Sequence, residues 1–178
     1  MQGDELFLRI YGDPVLRARS REVDRFGDDL ERMAGRMFEV MYEEEGVGLA
    51  APQVGVSRRV MVLDVPEDEG EAPYRGVIVN PVMTEHEGTQ RASEGCLSIP
   101  GLREDVTRHA RLVVEGKDAR GNPLRLTCRG LLARAVQHEI DHLDGILFID
   151  HLSPVRRRLL AKRLKKIAAE RQEAAAEQ

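Results

Sequence analysis

No stretch of this 178-residue chain approaches the roughly 20 consecutive apolar residues that a membrane-spanning helix requires, so a membrane location is not expected. Cysteine is scarce, with only Cys96 and Cys128 present, and in a reducing compartment a structural disulfide between them is not expected. The opening segment MQGDELFLRIYGD puts acidic residues before its first apolar cluster and has no small-residue cleavage site. No secretory signal is therefore expected, and the cytoplasm is the expected compartment. Internal repeats and clear linkers are also missing, so residues 1–178 are expected to form a single domain, acting as a monomer.

What is present suits a globular protein, because 42% hydrophobic and 33% charged residues allow both a buried core and a solvated surface. The net charge of -4 says less about partners than its uneven distribution does. From Asp24 onward Leu30, Met33, Met37, Val40 and Met41 follow helical spacing, and Gly46 suits a C-terminal cap. Segments 58–64, 75–80, 111–116 and 123–128 are short and β-branched, and they read as strands. The last two flank KDARGN, where Gly121 and Asn122 tolerate positive φ, which predicts a hairpin. Residues 66–73 read as a solvated loop.

Helical periodicity returns from Leu131 to Leu143, with Gly145 ending the helix. A final helix over about 154–175 opens with Ser153 as N-cap and Pro154 in its first position. Its apolar face is expected to hold Val155, Leu159, Leu160, Leu164 and Ile167, and beyond Ala168 the tail is expected to fray. The fold class implied is α+β, with mostly antiparallel sheets around one central helix and a C-terminal helix.

That central helix carries the sharpest signal, His138-Glu139-Ile140-Asp141-His142, an H-E-x-x-H pattern. Four helical residues advance about 400°, so both imidazoles leave one face and can meet a single metal ion. Glu139, beside a ligand, can reach a metal-associated water as general base. A site of this kind needs a third protein ligand. Downstream candidates are Asp144, Asp150, His151 or a glutamate of the tail, which would make the chain an H-E-x-x-H endopeptidase. Upstream, Glu94-Gly95-Cys96-Leu97-Ser98 offers a thiol suited to a borderline-soft metal, although a lone cysteine is more often a small buried hydrophobe. A non-enzymatic reading, a structural metal domain or a binding protein, leaves the base at Glu139 without a purpose.

Three segments in order, GVGLAAPQ at 46–53, EGCLS at 94–98 and QHEIDH at 137–142, resemble the three signature motifs of the peptide deformylases. The first also satisfies a G-x-G-x-x-A dinucleotide fingerprint, but it follows a helix and leads into a strand, which is the wrong context. The resemblance implies that Cys96, His138 and His142 bind one divalent metal ion, ferrous iron in the cell, with zinc, nickel or cobalt accepted. It implies that Glu139 is the general acid and base, with the Gln53 amide and the Leu97 N–H as oxyanion donors. The substrate is then an N-formylmethionyl peptide, and the products are formate and a free N-terminal methionine.

Substrate contacts carried over by the resemblance are Gly46, Val47, Gly48, Gly95, Arg103, Leu131, Arg134 and Ala135. Val47, Leu131, Ala135 and the stem of Arg134 line the methionine pocket, where Arg134 departs from the apolar residue expected. Gly48 is expected to admit a formyl hydrogen and to crowd an acetyl methyl. Arg103 is expected to bind substrate backbone, and Glu94 to pair with Arg108 and hold the cysteine loop. Finally, Arg156, Arg157, Arg158, Lys162, Arg163, Lys165, Lys166 and Arg171 crowd the last helix. Such a run is most often a solvated face. The resemblance adds docking on the ribosome near the exit of the nascent chain, where salt-sensitive phosphate contacts would supply affinity.

Overall fold

Strand β2 (Val60–Val65) is apolar on both faces, and that makes it the middle layer of the molecule. Val60 and Val62 pack with Leu30, Met37 and Met41 of helix α1 (Asp28–Glu43). Met61, Leu63 and Val65 pack from the opposite face with Leu132, Ala133 and Val136 of helix α2 (Gly130–Leu143). The structure, a computed structural model, describes residues 6–176. Around β2 runs a five-stranded antiparallel sheet in which β1 (Gly48–Ala50), β2, β3 (Tyr74–Glu87), β6 (Arg111–Lys117) and β7 (Pro123–Arg129) are neighbours in that order. A separate two-stranded ribbon, β4 (Gln90–Cys96) with β5 (Ile99–Arg108), covers the other side of α2. The α+β architecture around a central helix is as expected.

Helix α3 (Pro154–Ala176) closes the chain. The Ser153 hydroxyl accepts from Arg156 N–H at 3.2 Å, so the cap is the one read from sequence. The buried stripe is narrower than expected. Leu164 and Ile167 join Ile99, Leu102 and Phe148 with Leu160 at its edge, whereas Val155 and Leu159 are exposed. Adjacent helical positions point about 100° apart, and α3 meets the body along a single line, so residues one step round the helix face solvent. No break occurs at Ala168, which lies against Gly12, and Arg171 is paired with Asp13 at 2.6 Å. The last two residues of the expected tail, and the first five of the acidic N-terminal segment, lie outside the described residues.

Two further expectations are corrected. The left-handed residue after α1 is Glu45 (φ 56), not Gly46, whose N–H donates to the Met41 carbonyl at 2.8 Å. Gly46 is small for another reason, since a Cβ there would stand 2.7 Å from Leu97 Cδ1. In the hairpin of β6 and β7 only Gly121 takes positive φ (89), while the Asn122 side chain donates to Asp118. Both cysteines are free, and Cys128 is buried among the residues between sheet and α2.

Candidate metal centre and cleft

The EGCLS segment forms the end of the ribbon: Glu94 and Gly95 pair with Glu104 and Arg103, and Cys96 pairs with Ile99 across a tight turn. This turn delivers the Cys96 thiol to α2. Its Sγ lies 3.2 Å from His142 Nε2, which in turn lies 3.2 Å from His138 Nε2. Among the described residues these three form the one group of histidine, cysteine or carboxylate side chains able to hold a metal, with ligand atoms all within 4.8 Å of one another. A tetrahedral ion bound by a thiolate and imidazoles would separate its ligand atoms by roughly 3.3–3.6 Å, so the set fits a bound ion with small adjustment.

The surroundings reinforce the fit. His138 directs its other ring nitrogen to Glu94 Oε1 at 2.7 Å, which turns Nε2 toward the thiol. Burial alone would raise the Glu94 carboxyl, but hydrogen bonds from His138 and Arg108 overcome it and hold Glu94 well below the usual carboxylate range. Glu139 is buried, and its Oε2 has no hydrogen-bond partner, so an acceptor stands ready beside the cluster. Burial pushes its carboxyl up to about 7.

The downstream alternatives for a third ligand are engaged elsewhere. Asp144 pairs with Arg59 at 2.7 Å, Asp150 with Arg17 at 2.5 Å, and His151 meets Asp141 at 2.7 Å. Gln53 is buried in the short turn after β1, where its Oε1 accepts from Ala50 N–H at 2.8 Å. This fixes the amide so that Nε2 donates toward Ser98 Oγ at 3.2 Å and Cys96 Sγ at 3.7 Å. Gln53, Glu94, Cys96, His138 and Glu139 open onto a cleft of about 550 Å³.

The family model for polypeptide deformylase matches residues 7–158. The chain belongs to this family. Its members are metal-dependent hydrolases that remove the formyl group from nascent peptides. A peptide deformylase of Alkalilimnicola ehrlichii is 44% identical over 162 residues, covering 91% of this chain and 90% of that protein. Among solved structures, a peptide deformylase from Legionella pneumophila is 40% identical with a TM-score of 0.83, covering 95% of this chain and 97% of that one. A peptide deformylase from Synechococcus elongatus in complex with actinonin is 41% identical with a TM-score of 0.80, covering 92% and 90%.

The residues that the deformylase resemblance selected, except His142, which lies behind its partners, all line the cleft: Gly46, Val47, Gly48, Gln53, Gly95, Cys96, Leu97, Arg103, Leu131, Arg134, Ala135, His138 and Glu139. Arg103 sits at the exposed rim, where it donates to Ser93 Oγ and the Ser93 carbonyl at 3.2 and 3.1 Å. Arg134 presents only its stem, because its guanidinium is turned into the protein and donates to Glu94 Oε2 at 2.7 Å. The Glu94–Arg108 pair is present at 2.6 Å. Sequence reasoning missed Ser98 as the partner of Gln53, and the wall made by Ile99, Pro100 and Leu102. Ser98 lay inside a motif already singled out, but nothing local marked its partner 45 positions away.

Proposed function

We propose that this cleft hydrolyses N-formylmethionyl peptides, with Cys96, His138 and His142 holding one divalent ion. Ferrous iron is the ion proposed for the cell, and zinc, nickel and cobalt the substitutes, since a thiolate with two imidazoles suits borderline-soft ions. When bound, such an ion supplies Lewis acidity toward the formyl oxygen and the attacking water. Glu139 takes a proton from that water and returns it to the departing amine. The Gln53 amide and the Leu97 N–H donate to the oxygen on which negative charge gathers. Val47, Leu131, Ala135 and the Arg134 stem receive the methionine side chain. Gly46, Gly48 and Gly95 keep the cleft edges slim, and Arg103 at the rim binds substrate backbone.

The observation that carries this reading is the meeting, beside one cleft, of a thiol, two imidazole Nε2 atoms and a buried carboxylate with one unpartnered oxygen. The test is formate release from a formyl-Met-Ala peptide by iron-loaded protein purified anaerobically, beside Glu139→Ala and with actinonin added. Release by the wild type, its block by actinonin, and loss in a variant that still binds metal are expected. Metal binding without formate release by the wild type would instead favour a non-catalytic role.

Cytoplasmic ribosome docking through α3 belongs to the same proposal. Arg156, Arg171 and Lys166 are paired with Glu104, Asp13 and Glu170, which leaves Arg158, Lys162 and Lys165 on the exposed side. Charge reversal at Arg158, Lys162 and Lys165 is expected to reduce cosedimentation with ribosomes in a salt-dependent way, and unchanged binding would remove the idea.

A further inference from the structure

Arg134 leaves α2 one turn before His138, and it is almost fully buried. Its guanidinium reaches both strands of the ribbon. Nη1 donates to Glu94 Oε2 at 2.7 Å and to the Val106 carbonyl at 3.0 Å, and Nη2 donates to the Gln90 carbonyl at 3.2 Å. One side chain therefore fastens the helix that carries His138 and His142 to the ribbon that carries Cys96.

Glu94 completes the connection. Its Oε1 receives Arg108 Nη2 at 2.6 Å and His138 Nδ1 at 2.7 Å. Its Oε2 receives Arg134 Nη1 at 2.7 Å and Arg108 Nε at 3.2 Å. Without Arg134, Glu94 would keep the two-point grip of Arg108 but lose its shorter bond at Oε2, a direct tie to α2 that does not run through His138. The carboxylate, and with it the His138 ring, could then shift with the ribbon relative to the helix. Buried charged hydrogen bonds of this kind hold direction as well as distance.

The geometry points to Arg134 as a positioning residue for the metal centre: it sets the spacing of Cys96 from the two histidines and, through Glu94, the orientation of His138. Its stem forms cleft wall at the same time, which explains how an arginine is accommodated where an apolar residue is expected. The assignment rests on the deformylase reading of the cleft. It adds that a residue which touches neither metal nor reacting atoms governs how tightly the metal is held.

The experiment compares wild type, Arg134→Met and Arg134→Lys by zinc affinity in chelator competition, by kcat and KM for a formyl-Met-Ala peptide, and by thermal melting. Met keeps an apolar stem without the donors, and Lys keeps the charge without the fork. The expected order of zinc affinity is wild type, then Lys, then Met, with Met weaker by roughly 10- to 100-fold, as for other residues that orient a metal ligand. kcat is expected to fall in the same order while KM moves little. If Arg134→Met melts lower yet binds zinc like the wild type, or raises only KM, the assignment is wrong. Should Arg134→Met fail to fold, Arg134→Lys decides: weaker zinc binding supports the assignment, and wild-type affinity overturns it. Formate release by the wild type tests the underlying reading separately.

Discussion

Gly48 lies against Glu139: a Cβ added at Gly48 would stand 2.6 Å from Glu139 Oε1 and 3.1 Å from Leu63 Cδ2. The carboxylate is the softer neighbour and would move first. Gly48→Ala is therefore expected to retain the fold and metal while kcat falls by about 10²-fold, the usual consequence of misplacing a reacting group by an ångström. Wild-type kcat with bound metal would show that Glu139 does not depend on this fit. The wild type itself is expected to turn over formyl-Met but not acetyl-Met peptides, and equal rates would sink the crowding argument.

Gln53 is held through Oε1 by the Ala50 N–H, which turns Nε2, the donor of the amide, toward Ser98 Oγ and Cys96 Sγ at the cleft. Gln53→Ala is expected to lower kcat by about 10²–10³ with a smaller change in KM, as for loss of one oxyanion donor. It also strands a buried N–H, so a loss of about 1–3 kcal/mol in urea unfolding is expected. A stability loss with unaltered kcat would assign Gln53 to architecture alone.

For Cys96, the measurement is metal content after dialysis. Cys96→Ser is expected to lose zinc and formate release together, because a neutral hydroxyl replaces a thiolate ligand. Retention of both would reopen the search for a third ligand among the carboxylates, and with it the endopeptidase reading.

Burial pushes the Cys128 thiol up to about 12 from its ordinary 9.0. Between those values the unfolded chain has given up a proton that the folded chain keeps, so folding binds protons there. Stability from this group is complete below pH 9.0 and declines as pH rises toward 12, by at most about 1.4 kcal/mol per pH unit. Cys128→Ala is expected to be roughly 1 kcal/mol less stable at neutral pH and to show a shallower alkaline decline, so urea midpoints of the two proteins should converge above pH 9.0. Parallel pH profiles would count against this account.

The parts of this fold with strong local periodicity were legible in advance. Leu30, Met37 and Met41 announced α1, and the β-branched runs announced β2, β6 and β7. Strands β4 and β5 were not foreseen, because Arg91, Glu94, Arg103, Glu104 and Arg108 interrupt any apolar alternation. Glu94 and Arg108 point inward as an ion pair, a pattern no hydropathy reading rewards. The paired imidazoles and Glu139 were legible from helical spacing alone, whereas the thiol, 46 positions from His142, gave no local sign of converging on them and was singled out through resemblance. The grip of Arg134 on Glu94 and the exposure of Val155 were hidden for one reason: which side of a helix meets which neighbour is decided by distant chain, as when Arg134 finds Glu94, 40 positions away.

The thiol belongs to the ribbon and the imidazoles to α2, two pieces packed against each other rather than hydrogen-bonded into one sheet. An ion held by all three would act as a rivet between them, and since it has far less to grip in an unfolded chain, its binding energy would also be folding energy. Starvation for metal would then leave cells with a protein that is loosened as well as idle, and the first seam to open would be the one along which substrate enters.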